Sequence, residues 1–365
     1  MNAAPVDSRR SVFFLSGCCV RRIEADRTVV GVREGFRSRR RTRRWLGMLL
    51  NIAIMIAGLV ILGIGGEALV KGASRLARAV GVSALVVGLT VVAFGTSAPE
   101  AAVSISAGAA GEDDIAVANV VGSCTMNIML VLALAALARP LRISRSVLRN
   151  DLPVMLLATA VFMLMAANHR VIERWMGLTL LAGLVLYTLN TMRLARSATT
   201  VVEYEFDTGL PAGKSVLINF LLMIVGIAAL VGGARMIVYG AVEIAEAIGV
   251  SKRIIGLTIV ALGTSLPEVA TCVVAARRGQ PDIAVGNVIG SNIFNILAVV
   301  GLASTAFPLR ISEHTLFVDG PVMLLAGVMA LPVLRTGRLV SRREGGMLLG
   351  LYAVYLCAAL VYTRT

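Results

Sequence analysis

Charge, histidine and paired cysteine are what this sequence has least of. Only 15% of its 365 residues are charged, against roughly a quarter in soluble domains, which excludes an ordinary water-soluble fold. The two histidines, His169 and His314, fall between apolar runs and read as surface loop residues. The five cysteines (Cys18, Cys19, Cys124, Cys272 and Cys357) show neither metal-ligand spacing nor an even disulfide framework. Zinc, haem and disulfide chemistry have almost nothing to work with, and no cofactor is expected. An enzyme is also disfavoured, because no apolar run holds a histidine or an acid–base pair of distinct type.

What is abundant is apolar sequence, 57% of the chain. A membrane span needs about 20 largely apolar residues, and ten runs approach that length. They lie near 47–68, 84–108, 114–137, 151–168, 175–194, 215–238, 254–276, 282–307, 319–334 and 346–362. The prediction is an all-α integral membrane protein with the bilayer as its surroundings and no obligatory protein partner. Nothing of domain size lies outside the runs. Glu203, Glu205 and Asp207 in the gap 195–214 lack EF-hand spacing and read as a solvated loop.

The chain is one unit written twice. "GLTVVAFGTSAPE" from Gly88 recurs as "GLTIVALGTSLPE" from Gly256, an offset of 168 residues. The same offset carries "DIAVANVVGSCTMNI" (Asp114) onto "DIAVGNVIGSNIFNI" (Asp282), "LRIS" at Leu141 onto Leu309, and Asp151-x-Pro153 onto Asp319-x-Pro321. The units are residues 47–194 and 215–362, joined by a short linker at 195–214. Five runs per unit means that the second copy enters the membrane from the other side. Ten helices then form two inverted five-helix repeats, an arrangement of secondary transporters with the substrate site where the repeats meet.

Loop charge orients the bundle. With the ends of the ten-helix core outside and the linker cytoplasmic, inner loops carry sixteen Lys and Arg against seven outside. The basic tail, residues 1–46, contradicts this with twelve Arg, including "RSRRRTRRW" from Arg37. Two readings resolve the conflict. Translation starts at Met48, or the tail is cleaved or regulatory; "SVFFLSGCCV" is too short and poorly flanked for a convincing signal peptide. The basic stretch reads as juxtamembrane charge, and no nucleic-acid partner is expected.

The chemistry lies in the second and third runs of each unit. In "AFGTSAPE", Pro99 lacks an N–H, so the helix ladder opens around Gly95 and frees carbonyls near Ala93. Thr96 and Ser97 add hydroxyls, and Glu100 follows one turn after Thr96 on the same face. The second copy supplies Ala261, Thr264, Ser265 and Glu268, and the following runs place Ser123 with Asn127 and Ser291 with Asn295 four apart. Such hard oxygens suit Na⁺, Ca²⁺ or Mg²⁺. A lone Ser, Thr, Asn or Gly in a span is usually structural, whereas an intramembrane carboxylate marks a functional site. The paired glutamates carry the argument.

"GTSAPE…GSCTMN" and "GTSLPE…GSNIFN" resemble the two alpha repeats of the cation/calcium antiporter superfamily, in its sodium/calcium exchanger group, over nearly all of 47–362. The resemblance implies Na⁺ entering a cell in exchange for Ca²⁺ leaving, across an inner or plasma membrane, with the first and sixth spans sliding to switch access. It implies that Glu100 and Glu268 bind both ions, with hydroxyl or carbonyl oxygens from Thr96, Ser97, Thr264, Ser265, Ser123 and Ser291. Main-chain carbonyls of Ala93 and Ala261 and amide oxygens of Asn127 and Asn295 complete the set. Many exchangers carry Asp where this chain has Asn295, so the site holds two carboxylates. Neutral Asn127 and Asn295 argue against K⁺ co-transport, and Cys124 stands where the second repeat has Asn292. The alternative on the same scaffold is a Ca²⁺/H⁺ antiporter, since protons compete for both carboxylates. Its branch typically reads "GNxxE" in place of "GTSxPE". A channel would need a continuous pore and weak sites, which two pre-broken helices with many ligands do not suggest.

Overall fold

A backbone in hydrocarbon must bond to itself, and helices do so within one segment. The computed structural model describes residues 18–197, 216–250 and 255–362. Most of the linker and residues 1–17 of the tail lie outside the described residues. The chain divides into two units, Met1–Ile52 and Ala53–Thr365. The described residues of the first unit are helical from Cys18 onward. The second unit holds all but the first residues of the two repeated halves and every residue of the predicted site.

Helix α1 (Cys18–Val80) contains the apolar stretch Leu46–Val80. After it come α2 (Ala84–Thr96) and α3 (Ala98–Ala109), then α4 (Asp113–Ala138), α5 (Val147–Ala167) and α6 (Arg174–Ser197). The second half repeats the series with α7 (Val216–Ala247), α8 (Thr258–Thr264), α9 (Leu266–Arg277), α10 (Pro281–Ala306) and α11 (Thr315–Arg338). It ends in α12 (Arg342–Tyr362), a helix of 21 residues. Among the described residues, seven helices are long and apolar enough to cross a membrane. The bent pairs α2–α3 and α8–α9 bring this to nine. The chain is therefore an all-α membrane protein, and each predicted run has a helix or a bent pair at its place.

Burial sorts the helices by position. Within the apolar windows of α4 and α10, 83% and 94% of residues are buried, so these two form the centre; for α1 and α7 the shares are 11% and 28%. The two outer helices are joined to each other by small residues. A methyl group on Gly226 of α7 would lie 2.6 Å from the backbone nitrogen of Leu69, and one on Gly233 2.7 Å from the carbonyl oxygen of Gly58. Likewise a methyl group on Gly65 of α1 would meet the Leu230 nitrogen at 2.8 Å. α1 and α7 touch backbone to backbone, as small residues permit in membranes.

Short strands tie loops across the halves. β1 (Leu141–Arg142) pairs antiparallel with β4 (Leu339–Val340), and β2 (Val171–Ile172) with β3 (Leu309–Arg310). Leu141 faces Val340, and Leu309, its equivalent in the second half, faces Ile172. The aspartates at the start of α5 and α11 are held instead within each half, by tyrosines at equivalent positions. Tyr187 Oη donates to Asp151 Oδ1 at 3.3 Å and Tyr355 Oη to Asp319 Oδ1 at 2.8 Å. One expectation needs correcting: His314 is no exposed loop residue. It sits half-buried in a helical turn with Nε2 3.6 Å from Asp319 Oδ2, while His169 does lie exposed in a turn.

Candidate functional site

The site begins at two breaks. α2 ends at Thr96, and Ser97 leaves the helical path with φ −80° and ψ 2°; Ser265 does the same with φ −90° and ψ 2°. The following segments restart with Pro99 and Pro267 in their first turns, bent by 44° and 51° from the segments before. Proline suits a first turn, where its missing N–H is no loss. The break falls later than expected from the sequence, and the Ala93 carbonyl is not freed by it. Ala93 accepts from the Ser97 N–H at 3.0 Å, with the Thr96 hydroxyl 3.3 Å away, and Ala261 accepts from the Thr264 hydroxyl at 3.0 Å. Pro99 instead deprives the Gly95 carbonyl of its usual partner.

Glu100 and Glu268 occupy the first turns of α3 and α9. A helix N-terminus carries partial positive charge and favours a carboxylate there. Each glutamate is only 1% exposed, and each looks across to the hydroxyls of the other half. Ser265 Oγ donates to Glu100 Oε1 at 3.3 Å, with Thr264 on the same side; Thr96 and Ser97 face Glu268 from the other break, but neither Glu268 oxygen makes a hydrogen bond. Thr96, Ser97 and Ser265 are buried, whereas Ala261 and Thr264 are half-buried, so the second break is the more open of the two.

The central helices close the cluster. Asn119, Ser123 and Asn127 recur at four-residue intervals along one face of α4, and Asn287, Ser291 and Asn295 along α10. Asn127 Nδ2 donates to Asn292 Oδ1 at 3.0 Å, and Asn295 Nδ2 donates to Ser123 Oγ at 2.9 Å. Both amides spend their donors on neighbours and leave Oδ1 without a partner. Among the described residues, the buried carboxylate, amide and hydroxyl oxygens that make no hydrogen bond are Glu100 Oε2, both oxygens of Glu268, Oδ1 of Asn127 and Asn295, Ser97 Oγ and Thr271 Oγ1. All but the last belong to the predicted ligand set. Ser291 Oγ lies 3.4 Å from Thr96 Oγ1.

Three residues here escaped the sequence argument. Thr96 Oγ1 lies 3.0 Å from Asn287 Oδ1, which can take the hydroxyl hydrogen and leave the lone pairs of Thr96 for another group. Asn119 Nδ2 donates to the Glu100 carbonyl at 3.2 Å and to Ser104 Oγ at 2.9 Å. Asn292 orients Asn127, and Cys124 lies beside it with Sγ 3.9 Å from the Asn292 carbonyl. The signal for Asn119 and Asn287 was available: an asparagine at the same place in both repeats, one turn before the chosen serine. No group of three or more His, Cys, Asp or Glu that could hold a metal occurs among the described residues, so the donors that converge are two carboxylates with neutral oxygens.

The family described as sodium/calcium exchanger protein matches twice, over residues 50–193 and 218–361. The chain belongs to the sodium/calcium exchanger family. The two matches begin 168 residues apart, the offset of the internal repeat. Among its relatives, the inner membrane protein YrbG of Escherichia coli is 38% identical over 314 residues, covering 85% of this chain and 96% of that one. The sodium/calcium exchanger MaX1 of Methanosarcina acetivorans is 33% identical over 341 residues, 84% of this chain and 97% of its own. A solved structure of the sodium-calcium exchanger NCX_Mj, soaked with Na⁺ and Sr²⁺, superposes with a TM-score of 0.74 at 30% identity, covering 85% of this chain and 98% of that one. Antiport of sodium and calcium across a membrane is the family's activity, and this chain is a transporter of that exchanger type.

Proposed function

We propose that the chain exchanges Na⁺ for Ca²⁺ by alternating access, with Glu100 and Glu268 as the charged ligands of both ions. The observation that carries this reading is the set of buried acceptor oxygens with no partner. Burying a carboxylate unpaired costs several kcal/mol or more, and a cation between the two breaks offsets that cost. Two carboxylates neutralise one Ca²⁺ and come close to balance with two or three Na⁺. The hydroxyls of Thr96, Ser97, Thr264, Ser265, Ser123 and Ser291, the amide oxygens of Asn127 and Asn295 and the carbonyls of Ala93 and Ala261 are proposed as the neutral ligands. Ala93 must then share an oxygen already bonded to the Ser97 N–H, and Ala261 one bonded to the Thr264 hydroxyl.

The ten helices are proposed to cross as two inverted five-helix repeats, with outer ends and a cytoplasmic linker in a cell membrane. Support comes from the constant sequence offset and from the reciprocal strand pairs, in which exchanging the halves maps one pair onto the other. The switch of access is assigned to α1 and α7, whose apolar windows are little buried and whose glycine contacts leave few side chains to unlock.

The test is uptake of radiolabelled Ca²⁺ into proteoliposomes loaded with Na⁺ and diluted into Na⁺-free medium. Uptake that needs internal Na⁺ is expected. Uptake driven by a pH gradient with K⁺ inside would move the assignment to Ca²⁺/H⁺ exchange, and uptake indifferent to any counter-ion would leave a channel. In the same assay Asn287→Ala is expected to raise the apparent KM for Ca²⁺ roughly threefold to tenfold, the worth of one hydrogen bond that orients a ligand. Asn287→Asp keeps an acceptor for Thr96 and is expected to restore most of that loss.

A further inference from the structure

The two halves diverge where α1 passes the end of α9. A groove of about 580 Å³ runs between them, walled by Leu59, Val60, Gly63 and Ile64 of α1 and Val274 of α9. Leu59 and Ile64 are each 62% exposed and Val60 57%, so this wall faces away from the bundle toward lipid. Gly63 leaves open space where a side chain would stand. From Leu59 to Lys71 the helix rises roughly 18 Å, close to the depth of one leaflet's hydrocarbon, about half of ~30 Å.

Charge gathers at one end of this groove. Glu67, Lys71 and Arg277 line it there. The Glu67 carboxylate is shared by Arg278, which donates to it, and by Lys71, whose Nζ lies 3.4 Å away. Two cations thus meet one carboxylate, and exposed Arg277 lines the groove with no ion pair to an acid among the described residues. The other half does not repeat the arrangement. At the equivalent positions Val231 replaces Gly63, Arg235 replaces Glu67, Tyr239 replaces Lys71, and Ala109 and Ala110 replace Arg277 and Arg278. A molecule otherwise written twice therefore carries the glycine and the cluster Lys71, Arg277 and Arg278 at this place in one half only.

We propose that this groove binds one anionic phospholipid, its acyl chain along Leu59–Ile64 and its phosphate between Lys71 and Arg277. Basic pockets between membrane helices on the cytoplasmic side suit such headgroups. With the linker cytoplasmic, Lys71 and Arg277 lie on that side; the choice of leaflet rests on the proposed orientation, while the binding itself does not. A lipid wedged against α1 touches one of the two helices assigned to the switch, so its presence weighs on one state more than on the other.

The test is a native mass spectrometry titration of the full chain in detergent with phosphatidylglycerol or phosphatidylcholine. One phosphatidylglycerol is expected to be retained about tenfold more tightly than phosphatidylcholine. The variant Lys71→Gln/Arg277→Gln is expected to weaken phosphatidylglycerol roughly tenfold to thirtyfold and to leave phosphatidylcholine unchanged. Gly63→Leu, which fills the groove and keeps both cations, is expected to displace the lipid. Equal retention of the two lipids would overturn the proposal, as would indifference to the double variant or competition by inorganic phosphate. This readout needs no transport, so its failure is distinguishable from a failure of Na⁺-driven uptake.

Discussion

Replacing Glu268 with glutamine is expected to reduce Na⁺-driven Ca²⁺ uptake at least about a hundredfold. The same change should raise the thermal unfolding midpoint in ion-free buffer. Both expectations come from one fact: the carboxylate is 1% exposed and neither of its oxygens makes a hydrogen bond. Without a cation the fold must either hold an unpaired buried charge or take up a proton, and an amide of the same shape needs neither. With a cation present the same change removes half of the site's negative charge. Glu100→Gln should lose uptake to a similar extent but gain less stability. Its Oε1 already accepts from Ser265, so the ion-free carboxylate is less poorly compensated. Uptake assays and thermal scans on the purified variants measure both quantities. A Glu268→Gln protein that still exchanges, or that melts several degrees lower without ions, would mean that the residue supports the fold and holds no cargo.

Gly226→Val is expected to slow exchange at least tenfold and to lower the unfolding midpoint. Even the first carbon of a side chain at this position would lie 2.6 Å from the Leu69 nitrogen and 2.9 Å from the Gly65 carbonyl oxygen. These are backbone atoms and cannot rotate away. Overpacking of this kind costs about 1–3 kcal/mol, and the helices must separate to relieve it. Gly232→Val, on the same helix, meets open space and provides the control. Initial rates in proteoliposomes at matched protein content decide the matter. Equal rates for the two variants would show that close contact of α1 and α7 is unimportant to turnover.

The repeat, its period and the two proline-broken helices were legible in the sequence, because each is a local pattern printed twice. Glu100 and Glu268 were legible for the same reason. What the pattern could not supply was the partnership between halves. The hydroxyl of Ser265 serves Glu100, and the donor of Asn295 goes to Ser123, so each ligand is oriented by a residue about 170 positions away. Asn119 and Asn287 were passed over because a lone buried amide in a span has ordinary structural uses. Their hydrogen bonds to Glu100 and Thr96 are visible only in three dimensions. The Ala93 carbonyl was misjudged by placing the break at Gly95, when the backbone turns aside only at Ser97. His314 read as a loop residue because the turn that holds it near Asp319 carries no strong helix signal of its own.

The two-residue ladders set the order in which the molecule can be made. β1 has its partner about two hundred residues further along, close to the C-terminus, and β2 must wait for β3. A chain growing from the ribosome therefore carries an unpaired strand segment through most of its synthesis. The Gly58–Gly233 and Gly65–Gly226 contacts wait in the same way for the arrival of α7. Local helices can form early, but contacts distant in sequence come late and carry the entropic cost of closing long loops. The first half thus reaches the membrane as a set of inserted helices whose polar face has no counterpart. Its buried carboxylate acquires the Ser265 hydroxyl only when the second half arrives to complete it.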